Sequence, residues 1–203
     1  MNEYYQNFVT EKSFIMLKKF KDSCRFILIG GWAVFFYTHS LKSKDIDIII
    51  DFEELSKLKE NYEVFKNDRL KKYEISIEEV DIDIYLPRYS EFCLPIEDIQ
   101  KTSRLLEGFK VPTLEILLIL KQQAYLARRG SVKGEKDKLD ILSLLALDKL
   151  NFDLYKKLIA DNKLSVFRND LLSLVKDTKE IEQLNLNVYK FSKLRKKFID
   201  QLS

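Results

Sequence analysis

Twice in the first half of the chain an Asp-Ile-Asp triplet interrupts a β-branched run, in KDIDIII (residues 44–50) and in VDIDIYL (residues 80–86). Side chains alternate along a strand, so Asp45 and Asp47 point to one face about 6.8 Å apart at Cα, with Ile46 and Ile48 on the other. Asp81 and Asp83 repeat the arrangement. Two carboxylates about 6 Å apart repel by about 3 kcal/mol at an effective dielectric of about 20. A chain that keeps such pairs on a buried sheet neutralises them with protons, lysine or a metal ion. Hard oxygen ligands on one face suit Mg²⁺ or Mn²⁺. The alternative is a solvent-facing sheet surface, where Asp carries only a strand-propensity penalty. Recurrence in two strands makes that alternative harder to sustain.

The first triplet follows FILIGGWAVFFY (residues 26–37). Strand, Gly30-Gly31, helix is a geometry that brings backbone N–H groups and a helix N-terminus to a phosphate, although Gly-Gly is also an ordinary turn. A helix of about ten residues then returns the chain to the strand that opens with the carboxylates. Phosphate donors and metal ligands would converge at one sheet edge, as a metal-bound polyphosphate requires.

The remaining elements follow from periodicity. Apolar spacing predicts a helix over residues 8–20, strands over 26–29 and 45–50, and a helix over 53–60. Tyr73, Ile75 and Ile77 alternate with polar residues; Val80, Ile82, Ile84 and Leu86 do so in the opposite phase. That flip requires a turn or bulge near Glu78-Glu79, and Pro87 ends the second strand. From Pro112-Thr113 onward the chain reads as helix, stopping first at Gly130, resuming over 135–150, with two or three more helices over 152–202. The fold class is therefore α+β, or α/β at the front, with an all-helical C-terminal half. The division falls near residue 110, giving regions 1–110 and 111–203.

Composition narrows the function. With 203 residues, 46% of them hydrophobic, and only five Gly and three Pro, the chain can build a sizeable core and is not a disordered one. A net charge of +3 does not by itself indicate nucleic acid. Residues 151–203 hold 11 Lys/Arg against 7 Asp/Glu, leaving 24 and 25 for the rest, so the C-terminal quarter is the basic part. Cys24 and Cys93 have no metal spacing, and the start MNEYYQNFVTEKSF has no leader pattern; a reduced cytoplasmic protein is expected. The apolar run Ile116 to Leu120, like every other apolar run in the chain, is far too short to span a bilayer, so no membrane partner is expected. With His39 the single histidine, a zinc site or His-dependent nucleophile is not expected. Trp32 reads as core packing.

Gly30-Gly31-Trp32-Ala33 followed by Ser43-Lys44-Asp45-Ile46-Asp47 resembles the nucleotidyltransferase superfamily that includes DNA polymerase beta. Asp83 in VDIDIY best matches that superfamily's third carboxylate, with Asp81 as its competitor. The segments LLILKQQAYLARR and GEKDKLDILSLL further resemble the stand-alone prokaryotic branch containing AbiEii-type toxins. The likeness covers about residues 24–147. It departs at Leu41, where many relatives carry Arg, and at Gly31, where many carry Ser; both bear on phosphate binding rather than on the metals.

The resemblance implies a mixed-sheet nucleotidyltransferase core and two-metal transfer of NMP from an NTP to an acceptor hydroxyl. Asp45, Asp47 and Asp83 would be catalytic residues and ligands to Mg²⁺ or Mn²⁺. Gly30, Gly31, Ser43, Lys44, Lys121, Lys136, Asp137 and Asp140 would contact substrate. RNA such as tRNA is the favoured acceptor, with a protein or small molecule as alternatives, and an antitoxin protein is an implied partner. Competing readings are a catalytically inactive nucleotide- or RNA-binding regulator of the same fold and a metal-dependent phosphohydrolase.

The helical half has its own alternatives. Lys121 interrupts an apolar face, either snorkelling to water or aimed at a phosphate or carboxylate. Lys136 and Asp140, four apart, form either a plain ion pair or part of the site. Arg128 and Arg129 complement a helix dipole or contact the acceptor. In YKFSKLRKKFID, Tyr189, Phe191, Leu194 and Phe198 interleave with five basic residues, as either a docked amphipathic helix or an RNA-facing surface.

Overall fold

The computed structural model describes residues 3–181, 184 and 187–202, the side chains of 3–7 and 190 excepted. The first residues of the segment read for a leader, and the Lys190 side chain of the basic run, thus lie outside the described residues. The chain divides into two compact units, one ending at Thr113 and one starting at Leu114.

The first unit is α+β. Its order is α1 (Glu3–Ser23), β1 (Ile27–Ile29), α2 (Gly30–Thr38), β2 (Ile46–Ile49), α3 (Phe52–Asn61), β3 (Phe65–Asn67), β4 (Lys72–Ile77), β5 (Val80–Tyr85), α4 (Ile96–Thr102), β6 (Arg104–Leu106) and β7 (Phe109–Val111). Five strands form a mixed sheet in the order β1-β2-β5-β4-β3, in which only β2 and β5 run parallel. The predicted phase flip is the β4–β5 hairpin. Ile77 pairs with Val80, and Glu78 takes the left-handed conformation between them (φ 55°).

The isoleucine phase of the triplets faces the core: Ile46, Ile48, Ile82 and Ile84 are fully buried. The opposite face is polar only at one end, because Ile49, two residues beyond Asp47, is buried as well. Aromatic packing joins the first two helices. Trp32 stacks on Phe14 with ring centroids 5.2 Å apart and donates its indole N–H to Ser13 Oγ at 2.9 Å. Phe36 stacks on Phe109 at 4.9 Å.

Three features were not anticipated from periodicity: β3, α4 and the β6–β7 hairpin. Each is too short to display a period. The hairpin is instead set by Glu107-Gly108, both with positive φ (48° and 81°), as the tight turn between three-residue arms requires. The second strand is also shorter than expected, with Asp45 in a bend just before it. The β1–β2 ladder ends with the pairing of Ile29 and Asp47.

The second unit is helical among the described residues: α5 (Leu114–Arg128), α6 (Val132–Ala146), α7 (Phe152–Asp161), α8 (Ser165–Asp177) and α9 (Val188–Leu202). Ser131 caps α6 by accepting from Gly134 N at 3.0 Å, and Asn151 caps α7 by accepting from Leu154 N at 3.0 Å. A Cβ at Gly134 would lie 2.3 Å from the Arg128 carbonyl oxygen, so only glycine lets α6 start this close to the end of α5. In α9, Phe191 and Phe198 are buried while Tyr189 is exposed. Among the described residues no helix is long and apolar enough to cross a membrane. Cys24 and Cys93 are free thiols, and burial pushes each up to about 12.

Candidate active site

The sheet register assembles a row of side chains across four strands of the first unit. Ile29 pairs with Asp47, Asp47 with Asp83, and Asp83 with Glu74. Residues directly opposite on neighbouring strands share a face, so three carboxylates stand side by side. Asp47 and Asp83, far apart in sequence, become nearest neighbours because β2 and β5 are the one parallel pair at the sheet's centre.

Asp83 shows what this proximity does. Its carboxyl is raised to about 6, first by burial and then by the negative charge of Asp47. Lys72 opposes the shift: its Nζ lies 2.7 Å from Asp83 Oδ2 and 2.9 Å from Glu74 Oε1. Glu74 also accepts from Asn67 Nδ2 at 3.0 Å. The Lys72 ammonium, helped by Asn67 and opposed by burial, holds the Glu74 carboxyl below the usual range.

Asp81 sits differently. It is exposed and accepts a hydrogen bond from Ser76 Oγ at 2.6 Å, at the turn end of the hairpin. Asp83 therefore has the stronger claim as partner to Asp47. Asp45 is half-buried immediately before β2, and Ser43 and Lys44 precede it, the first buried and the second half-buried.

Gly30 opens α2 with φ 67°, and a Cβ there would lie 2.0 Å from Asp47 Oδ2. The glycine thus serves the carboxylate directly: it lets the first turn of the helix close over Asp47. Gly31 is buried in the same turn. The sequence pairing of a glycine turn with a carboxylate strand is a physical contact.

These residues suit a divalent cation. They offer hard oxygen donors on adjacent strands, burial and mutual repulsion that together raise one pKa, and a glycine at which any side chain would meet a carboxylate. Among the described residues no three Asp, Glu, His or Cys side chains already form a metal cage. Asp83 meets the Lys72 ammonium instead.

In the second unit, Lys121 is buried rather than snorkelling: its side chain is 8% exposed, with Nζ 2.7 Å from Asp140 Oδ2 and 3.4 Å from Asp137 Oδ1. Arg128 Nη2 donates to Asp137 Oδ1 at 2.9 Å, and Arg129 pairs with Asp170. The ion contact of Asp140 with Lys121 lies off the hydrogen-bonding direction, and neither carboxylate oxygen has a hydrogen-bond donor. Lys136 is half-buried one turn before Asp140. Lys121, Asp137 and Asp140 form one buried network between α5 and α6. His39 is an exposed helix cap 3.6 Å from Glu107.

Glu74 and Lys72 were missed by sequence reading. The signal was present: pairing back from the Glu78-Glu79 turn in KKYEISIEEVDID sets Glu74 opposite Asp83, with Lys72 two residues along the same face.

A model of nucleotidyltransferases of unknown function (DUF6036) matches residues 8–198, and the chain belongs to that family. No curated protein matches it. Among solved structures, it is similar to JHP933 from Helicobacter pylori at 17% identity and TM-score 0.50, covering 100% of this chain and 94% of that one. It is also similar to ANT(2″)-Ia in complex with adenylyl-2″-tobramycin at 13% identity and TM-score 0.52, covering 79% and 99% respectively. At these identities the likeness is one of fold, a nucleotidyltransferase-type mixed sheet with flanking helices.

Proposed function

We propose that the chain transfers a nucleoside monophosphate from an NTP to an acceptor hydroxyl, using Asp45, Asp47 and Asp83 to hold Mg²⁺ or Mn²⁺. The observation that carries this reading is the in-register Asp47–Asp83 pair with Gly30 packed against Asp47. When bound there, divalent cations supply charge neutralisation for the triphosphate and the departing pyrophosphate. Gly30 and Gly31 offer the first turn of α2 to the phosphates, with Ser43 and Lys44 on the segment entering β2. Asp83, whose carboxyl is raised to about 6 by burial and by Asp47, accepts the proton of the attacking hydroxyl. The new bond joins the acceptor oxygen to the α-phosphorus, and the bond to pyrophosphate breaks.

For the acceptor, the AbiEii-like motifs and the basic C-terminal quarter favour an RNA hydroxyl, which an antitoxin protein would regulate. Lys121, Asp137 and Asp140 then act by fixing α5 against α6, with Lys136 the more accessible substrate contact. The test is incubation with each labelled NTP, Mg²⁺ and total RNA, comparing wild type with Asp45→Ala and Asp47→Ala. Transfer that disappears in both variants supports the reading. NTP or RNA binding without transfer by wild type overturns it in favour of a binding protein, and phosphate release without an acceptor in favour of a hydrolase.

A further inference from the structure

Lys72 carries an inference that rests on the proposed metal-dependent reading of the site. Its ammonium touches both Asp83 and Glu74. Its side chain is only 12% exposed, so the contact is not a loosely solvated surface pair. The register explains why two carboxylates flank it. Glu74 and Asp83 are directly opposite one another, and Lys72 lies two residues before Glu74 on the same face of β4.

An ammonium and a divalent cation cannot both occupy the near side of Asp83 Oδ2, because like charges at contact distance repel strongly in a partly buried site. Asp83 can offer Oδ2 to a metal ion shared with Asp45 and Asp47 only if Lys72 gives way. Glu74 provides somewhere for it to go. It already accepts from Lys72, and the hydrogen bond from Asn67 Nδ2 holds it in place.

We propose that Lys72 is an exchangeable resident cation. In the metal-free protein it neutralises Asp83, and on metal loading it retreats onto Glu74 alone. The exchange keeps the carboxylate row intact without metal and lowers the intrinsic metal affinity.

Mn²⁺ titration of the full chain without nucleotide, followed by electron paramagnetic resonance, tests this. Lys72→Met removes the competitor, and its Mn²⁺ Kd is expected to fall by about tenfold. Its metal-free Tm falls, and added Mn²⁺ raises it by more than in wild type. Glu74→Gln removes the retreat and leaves Lys72 on Asp83, so its Kd rises. Opposite effects from two contacting residues are not expected of a purely structural ion pair. Lys72→Met binding Mn²⁺ no more tightly than wild type overturns the proposal. If that variant does not fold, Glu74→Gln binding Mn²⁺ as tightly as wild type, or more tightly, overturns it. Asp47→Asn separates the two readings. Wild-type Mn²⁺ affinity in Asp47→Asn removes the metal site itself, whereas loss of binding there with no effect of Lys72→Met removes only the exchange.

Discussion

Gly30 has the narrowest tolerance of any residue in the candidate site. Alanine there meets both a left-handed backbone and the Asp47 carboxylate. Gly30→Ala is expected to lose about 1–3 kcal/mol of stability, or about 2–12 °C in Tm at the usual conversion for chains of this size. It is also expected to weaken Mn²⁺ binding, because Asp47 must move. Asp83 gives a second, pH-dependent expectation. Its folded pKa is raised to about 6 from an ordinary 3.8, so the fold binds the proton more tightly than the unfolded chain does. Stability from this group is fully present below the unfolded value and is lost as pH rises through about 6. In EDTA, urea unfolding of Asp83→Asn should therefore gain on wild type between roughly pH 4 and 6, with a constant difference above. A wild type that gains on the variant across that window would contradict the assignment. Trp32→Ala should cost about 3–5 kcal/mol through its lost ring contacts and the orphaned Ser13 hydroxyl.

Among elements, α5 and α6 are held together by the Lys121–Asp137–Asp140–Arg128 network as well as by leucines. Removing one partner of a buried ion pair leaves an uncompensated charge and costs about 3–5 kcal/mol. Lys121→Met should show that loss in urea unfolding, and adding Asp140→Leu should recover part of it. Periodicity made this helix pair legible: the apolar stripe, the Gly130 stop and the spacing of Lys136, Asp137 and Asp140 were all visible. The partner of Lys121 was not, since a cation on an apolar stripe reads equally as a snorkel or a site residue until a second helix is packed against it. In the sheet, the alternation of the triplets announced two strands with a carboxylate face. It did not announce β3 or the β6–β7 hairpin, whose three-residue strands carry no period, nor which strand lies beside β2. That adjacency sets Asp83, and not Asp81, opposite Asp47.

At the scale of the molecule, charge is partitioned. Residues 1–113 carry 17 Lys/Arg and 20 Asp/Glu, and residues 114–203 carry 18 and 12. The acidic half owns the candidate metal site, and the basic half owns the cations a polyanionic acceptor would need. An RNA acceptor should bind with an affinity that drops steeply with added salt. Fluorescence anisotropy of labelled RNA should show weaker binding for Lys193→Glu/Lys196→Glu, two positions on the exposed side of α9. Salt-independent binding would argue for a small or uncharged acceptor.

The parallel pairing of β2 with β5 has a consequence for assembly. Asp47 and Asp83 are thirty-six positions apart along the chain, and the hairpin of β4 and β5 can close without bringing them together. An ion held by this pair would therefore require the long-range β2–β5 pairing, whatever local structure had already formed.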